Sequence, residues 1–146
     1  MIIRPMVLHD YAQVFALWRN TPGMGLNNLD DSEDGIARYL ARNPDTCFVA
    51  EKGGSIIGVI LSGHDGRRGY IYHAAVAEHE QRHGTGAALV SAAMSALEHE
   101  GINKVALVAY GKNSGGNAFW DKQGFITRPD LTYRNKAISV MTAIDT

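Results

Sequence analysis

Hydrophobic and polar positions along the chain follow two different periods, and the changes between them divide it into strands and helices. Short apolar or alternating runs between turn residues predict strands, whereas apolar residues three or four apart predict amphipathic helices. The predicted strands are residues 2–7, 47–51, 55–62, 70–77, 105–109 and 137–144. The predicted helices are residues 11–20, 35–42, 84–100 and 115–123.

The order of these elements, β-α-α-β-β-β-α-β-α-β, predicts a mixed sheet with helices on both faces. Residues 105–109 are apolar throughout, which is typical of a strand buried on both faces. Pro5 favours an edge position for the first strand. Asp10, with Gln13 three residues later, predicts a capping box at the first helix. We therefore expect an α/β fold of the mixed-sheet (α+β) kind, in a single domain over residues 1–146.

The composition is typical of a globular protein and argues against two kinds of partner. Apolar residues make up 45% of the chain, and the formal net charge of −1 gives no general attraction for nucleic acid. No apolar run approaches the length needed to cross a membrane. Cys47 is the single cysteine and lies in an apolar run, so we interpret it as a core residue rather than a nucleophile. The lack of an intrachain disulfide favours the cytoplasm.

The most informative segment links the predicted strand 70–77 to the alanine-rich helix after it. It reads Gln81-Arg82-His83-Gly84-Thr85-Gly86-Ala87. Helix N-termini carry unpaired N–H groups and about half a positive charge, and glycine lets an anion approach the backbone. A strand, a glycine turn and a helix are the order that a phosphate site needs. The alternative is that Gly84 and Gly86 only turn the chain.

An overlapping segment, His79-Glu80-Gln81-Arg82-His83, matches the H-E-x-x-H pattern of zinc proteases. That site requires a regular helix, on which residues four apart share a face. Here a predicted strand precedes the segment, glycines that disfavour helix follow it, and no third ligand is evident. A zinc protease is therefore the least favoured interpretation, and we expect no metal site.

A second motif, residues 113–125, follows the predicted strand 105–109 and reads N-S-G-G-N-A-F-W-D-K-Q-G-F. Together with Gln81-x-x-Gly84-x-Gly86, it resembles the GCN5-related N-acetyltransferase (GNAT) family over nearly the whole chain. The resemblance implies the acyl-CoA N-acyltransferase fold, a mixed central sheet flanked by helices. It also implies transfer of the acetyl group of acetyl-CoA to a primary amine by direct attack in a ternary complex. The alternative is an acetyl-CoA-binding module without activity.

In that family the glycine turn holds the pyrophosphate of acetyl-CoA through its backbone amides. The strand before the turn carries a bulge, which splays it from the next strand so that the pantetheine arm can pair with it and an amide can hold the oxyanion. Asn113 would bond the arm, and Phe119 and Trp120 would line its wall. The cofactor-binding residues implied for this chain are Val76, Ala77, Gln81, Arg82, His83, Gly84, Thr85, Gly86, Ala87, Asn113, Phe119 and Trp120.

The resemblance leaves the proton-transfer groups open. Trp120 lies where many members carry a tyrosine that protonates the leaving thiolate, and an indole cannot do this. Tyr110, Tyr133 or water would replace it. His73 is the candidate base, because histidines exchange protons near neutral pH. The alternatives are that His73 is structural and that a chain of water molecules carries the proton.

The acceptor in this family binds between the loop that joins the first two helices and a loop near the C-terminus. Asp30, Asp31 and Glu33 in the first loop, with Tyr72, are the predicted acceptor-binding residues, because carboxylates attract a cationic amine. The alternative is an exposed helix start whose carboxylates favour the helix dipole. The second loop, residues 128–135, would bind either the acceptor or a second subunit. The implied partners are a small-molecule or peptide amine and, as is frequent in the family, a second copy in a homodimer.

Overall fold

The computed structural model describes residues 1–146. The strands are β1 (Ile2–Pro5), β2 (Leu26–Asn27), β3 (Phe48–Lys52), β4 (Ser55–His64), β5 (Gly69–Val76), β6 (Val105–Leu107) and β7 (Ala143–Ile144). The helices are α1 (Tyr11–Arg19), α2 (Glu33–Arg42), α3 (Thr85–His99) and α4 (Ser114–Lys122). Two single-turn 3-10 helices, Leu8–Asp10 and Glu78–Glu80, precede α1 and follow β5.

The main sheet has five strands in the order β1-β3-β4-β5-β6. The β5–β6 pair is parallel and the other pairs are antiparallel, which confirms the predicted mixed sheet. β1 pairs only with β3, so Pro5 does lie on an edge strand. β2 and β7 form a separate two-stranded antiparallel sheet.

Helices cover both faces of the main sheet, as predicted. On one face Val14 and Trp18 of α1 and Ile36 of α2 form a core with inward residues of β3 and β4. On the other face Leu89 and Val90 of α3 lead a second core. β4, in the centre, is therefore buried along most of its length, as expected for a strand covered on both sides. None of the helices is long and apolar enough to span a bilayer.

β6 differs from the strand predicted at residues 105–109. It is the other edge strand of the sheet and is only partly buried, and Val108 beyond it is 53% exposed. The prediction of burial on both faces was wrong, because an apolar run does not distinguish a central strand from an edge strand that borders a cavity.

A bulge in β5 separates the C-terminal part of that strand from β6. Ile60 of β4 pairs with Ala74 and Ser62 pairs with Ile71, so that two residues of β5 oppose Leu61. β5 pairs with β6 only over its first three positions, which end at Ile71. The bulge and the splayed strands that the resemblance implies are thus present.

Two predictions about helix N-termini were wrong. Asp10 occupies the N-cap position of α1 as predicted, but its side chain makes no capping hydrogen bond to that helix. Its carboxylate instead accepts hydrogen bonds from the Arg4 guanidinium, at 2.9 Å, and from the Val7 N–H. Gln13, the expected partner in the capping box, accepts from the Ile56 N–H of β4. α2 begins two residues earlier than predicted, with Ser32 as its N-cap.

The last strand was also predicted wrongly. Of residues 137–144 only Ala143–Ile144 forms a strand, paired with β2, while Ile138 and Val140 are exposed. A strand needs a neighbour for its backbone hydrogen bonds, and this run meets one only where it reaches β2. Alternation of apolar residues was therefore insufficient evidence.

Candidate active site

The turn between β5 and α3 presents a row of backbone N–H groups that have no acceptor within the protein. The N–H groups of residues 82–87 make no backbone or side-chain hydrogen bond, and the first bond of the helix runs from the Ala88 N–H to the Gly84 carbonyl at 3.0 Å. Such donors, together with the positive end of the α3 dipole, favour an anion. The turn therefore has the chemistry of a phosphate site.

Two left-handed residues shape this turn. Gly84 has φ +83°, and Arg82, at φ +67°, is the one non-glycine residue in the chain with a positive φ. Alternating left-handed residues turn successive N–H groups toward one side, which makes a concave anion site. Gly86 has a different role, because a Cβ there would lie 3.1 Å from the ring of Phe119. Its lack of a side chain lets α4 pack against the start of α3.

The end of β5 is held in place from both sides. The Ala77 N–H donates to the Ile57 carbonyl of β4 at 2.8 Å, and the Gln81 side-chain amide donates to the Val76 carbonyl at 3.0 Å. Because backbone groups alternate across a strand, the Val76 N–H points away from β4, toward the side that β6 has left. Two residues were predicted to offer a backbone amide here. The N–H of Ala77 is bonded within the sheet, whereas the N–H of Val76 faces the gap.

Helix α4 forms an aromatic wall beside this gap. Phe119 and Trp120 meet edge to face with ring centres 5.0 Å apart, and Trp120 meets Phe125 in the same way at 5.2 Å. Asn113 is the N-cap of α4 and accepts a hydrogen bond from the Gly116 N–H at 3.0 Å. The side-chain oxygen of Asn113 is thus in use, whereas its amide N–H groups make no hydrogen bond within the protein.

A cavity of about 920 Å³ extends from the gap between β5 and β6 to the loop before α2. All but one of the six tyrosines line it. The predicted residues that line it are Asp30, Asp31, Tyr72, His73, Tyr110, Asn113, Trp120 and Tyr133. Glu33 does not line it and lies exposed in the first turn of α2. Arg38, Tyr39 and Arg42 also line the cavity and were not predicted. Their spacing of three and four residues along a helix was the available signal.

His73 and Asp31 form a buried pair at the cavity, with Nε2 2.8 Å from Oδ1. The other oxygen of Asp31 accepts from the Asn27 N–H, and the Trp18 ring contacts the imidazole edge to face. A carboxylate only accepts, so Nε2 carries the proton and Nδ1 keeps its lone pair when the ring is neutral. Nδ1 is buried and has no hydrogen-bond partner. The pair was not predicted, because its members lie 42 residues apart.

Three tyrosines of the cavity wall, Tyr39, Tyr70 and Tyr72, have a raised pKa and are poor candidates for ionisation. Burial raises the pKa of Tyr70 and Tyr72, and the neighbouring Tyr133 raises it further. Burial also raises the pKa of Tyr39. These phenols therefore remain protonated near neutral pH and offer aromatic rings and hydroxyl groups. Cys47 lies outside the cavity, and burial raises its pKa to about 12, which confirms that it is a core residue.

The H-E-x-x-H segment does not form a zinc-protease site. His79 lies in the 3-10 helix after β5 and His83 in the following turn, so they do not share a face of one α-helix. Glu80, the would-be base, pairs with Lys52 at 2.7 Å. No group of three or more His, Cys, Asp or Glu side chains is arranged to hold a metal ion.

Comparisons with known proteins agree with this geometry. The model of the acetyltransferase (GNAT) family matches residues 11–125. An acetyltransferase of Sodalis glossinidius is 32% identical over 122 residues, 84% of each chain. One of Pectobacterium atrosepticum is 30% identical over 138 residues, 94% of this chain and 96% of that one.

Solved structures share the fold. Ard1 from Thermoplasma volcanium superposes with a TM-score of 0.76 at 23% identity, over 86% of this chain and 82% of that chain. The PaiA N-acetyltransferase of Thermoplasma acidophilum, in complex with coenzyme A, gives a TM-score of 0.73 at 16% identity, over 84% and 87% of the two chains.

Proposed function

The chain belongs to the acetyltransferase (GNAT) family, and from this premise we propose that it acetylates a primary amine bound in the cavity beside His73. Membership of the family makes the chain an acetyltransferase and acetyl-CoA its acetyl donor. The observation that carries the rest is the row of unpaired N–H groups over residues 82–87, which opens next to the gap between β5 and β6.

The backbone amides of residues 82–87 fit the pyrophosphate of acetyl-CoA. They lie at the N-terminus of α3, where the helix dipole adds to the attraction for a doubly charged group. Gly84 leaves open space in front of them, with no atom within 4 Å of the position that a Cβ would take. The site therefore depends on main-chain donors, and the side chains of Arg82 and His83 only supplement them.

The arm of the donor would continue from this turn into the gap beside β5. When bound, acetyl-CoA supplies a thioester carbonyl that a neutral amine can attack. The Val76 N–H would donate to the thioester oxygen, where negative charge develops during attack. The peptide between Val76 and Ala77 is held by Gln81 on one side and Ile57 on the other, so this end of β5 is fixed in advance.

We assign proton removal from the attacking amine to the His73–Asp31 pair. Asp31 holds Nε2–H, and its charge stabilises the imidazolium that forms when Nδ1 takes a proton. Because Nδ1 is buried, the proton reaches it through a water molecule in the cavity or after a small rotation of the ring. Tyr110 and Tyr133, exposed phenols on the cavity wall, are the proposed proton donors to the leaving thiolate, with Trp120 acting only as wall.

Calorimetric titration with acetyl-CoA and with acetyl-pantetheine, which lacks the pyrophosphate, tests the donor site. We expect acetyl-CoA to bind one-to-one and at least about tenfold more tightly, a difference of about 1.4 kcal/mol. Equal affinities would show that the turn does not bind the pyrophosphate. Thiol release in the presence of a panel of primary amines then tests transfer, and donor binding without release on any amine would contradict the proposed reaction.

A further inference from the structure

Two positively charged side chains without an ion-pair partner line one end of the cavity. Arg38 and Arg42 lie four residues apart on α2, so they share a face of the helix, and both line the cavity. Both are exposed, and neither makes a hydrogen bond or an ion pair through its side chain. A free guanidinium fork matches a carboxylate or a phosphate, which it can bind through two parallel hydrogen bonds.

The other end of the same cavity is negative. Asp31 is 3% exposed and bound to His73, and Asp30 lies beside it, with a single side-chain contact from Asn27. His73 is itself nine-tenths buried and lines the cavity, and its Nδ1 has no partner. At about 1.5 Å per residue, Arg38 and Arg42 lie roughly 8 and 14 Å along the axis of α2 from its first residue, Glu33, which follows Asp31 by two positions. The opposite charges are therefore separated by about the length of a small molecule.

Aromatic side chains fill the wall between the two ends. The Tyr72 ring lies between those of Tyr39, at 5.7 Å, and Tyr70, at 4.6 Å. Rings on a cavity wall favour a flat apolar body by burial and by edge or offset stacking.

We propose that the acceptor is a primary amine that also carries an anionic group on an aromatic or apolar body. The amine lies toward Asp31 and His73, and the anion is held by Arg38 and Arg42. This inference rests on the proposed function, because it takes the cavity to be the acceptor site.

Three rigid probes test this assignment. 4-(Aminomethyl)benzoate has an amine and a carboxylate at opposite ends of a ring, 4-(aminomethyl)benzamide replaces the anion by a neutral group, and 4-(aminomethyl)benzylamine replaces it by a second cation. Calorimetric titration of the CoA-saturated protein measures affinity without requiring turnover. We expect the benzoate to bind about tenfold more tightly than the benzamide, and the diamine to bind most weakly.

Two double variants distinguish a benzoate preference due to Arg38 and Arg42 from an effect of the protein's overall charge. Arg38→Gln with Arg42→Gln keeps good helix formers and should bring the benzoate-to-benzamide ratio close to one. Arg19→Gln with Arg67→Gln removes two exposed arginine charges outside the cavity and should keep the ratio. Equal affinities in the native protein, a ratio that survives in the first variant, or no binding of any probe would overturn the proposal, as would preferred binding of the diamine.

The same titrations without CoA keep this proposal distinct from the proposed function. If CoA itself does not bind, the donor site has failed, yet a benzoate preference that depends on Arg38 and Arg42 would still support the bipolar cavity. If CoA binds and the benzoate shows no preference, the donor site stands and the acceptor assignment is wrong.

Discussion

The proposed donor side and the proposed acceptor side of this site are built from different parts of the chain. The donor side uses main-chain N–H groups, those of residues 82–87 and of Val76. The acceptor side uses side chains from α2, from β5 and from the segment after β6. A main-chain site tolerates most side-chain changes but depends on backbone conformation, whereas a side-chain site can be altered one residue at a time. We therefore expect acetyl-CoA binding and acceptor choice to respond to separate sets of substitutions.

The largest expected effect comes from breaking the donor side at Gly84. In Gly84→Val, either the turn keeps φ +83° and the new side chain stands before the amides, or the turn shifts and the amides move away. We expect acetyl-CoA affinity to fall at least about 100-fold, or roughly 2.7 kcal/mol, by calorimetry. The circular dichroism spectrum should remain that of a folded protein.

Gly66→Val is the matched control for this substitution. Gly66 has φ +91° and equally open surroundings, but it lies in the turn between β4 and β5, outside the cavity. Both variants should lose about 1–2 kcal/mol of stability from the left-handed conformation. If Gly66→Val weakens acetyl-CoA binding as much as Gly84→Val does, the loss reflects general destabilisation rather than the amide row.

The same contrast explains why local sequence patterns point to the proposed donor side more readily than to the proposed acceptor side. The turn between β5 and α3 is encoded in consecutive residues, so the sequence placed Gly84 and Gly86 between a strand and a helix. The glycines alone left a simple chain turn as an alternative, and the second motif at residues 113–125 favoured a phosphate site. The acceptor side depends on residues brought together by folding. Asp31 was predicted to bind the amine directly, yet it reaches His73 across 42 positions of sequence. Arg38 and Arg42 became visible only when α2 was seen against the cavity.

The wrong prediction of a capping side chain at Asp10 also arose from a contact that forms only when the chain folds. Asp10 satisfies the local rule for a helix cap, but its carboxylate is bound to Arg4 of β1 instead. Arg4 lowers the pKa of Asp10, so the native state keeps this carboxylate ionised. Local patterns predicted the mixed sheet and the order of the elements other than β2, which lies in a segment predicted to be a loop. They did not predict the partners that a polar side chain finds across the fold.

A second variant pair acts on the acceptor side. His73→Gln removes the proposed base, and Asp31→Asn turns a donor amide toward Nε2, which would shift the ring proton to Nδ1. We expect kcat/KM for an amine acceptor to fall about 30-fold in each, with acetyl-CoA affinity little changed.

Asp34→Asn controls for the loss of one carboxylate near α2. Asp34 is exposed and does not line the cavity, so its removal should leave kcat/KM near the native value. If His73→Gln keeps kcat/KM near the native value, another group removes the proton and the His73–Asp31 pair serves only to hold the loop. Loss of acetyl-CoA affinity in either cavity variant would contradict the separation of the two sides.

The smallest expected effect is at Tyr72, where two variants test whether the cavity wall recognises the acceptor through aromatic rings or through hydroxyl groups. Burial and the neighbouring Tyr133 raise the pKa of Tyr72, so its phenol stays neutral through the pH range of an ordinary assay. Tyr72→Phe keeps the ring between Tyr39 and Tyr70, and we expect KM for the acceptor within about twofold of native. Tyr72→Leu removes the ring contacts and should raise KM about fivefold, in line with about 1 kcal/mol for aromatic packing. Equal losses in the two variants would mean that the hydroxyl binds the acceptor, and the wall would then be a polar surface rather than an aromatic one.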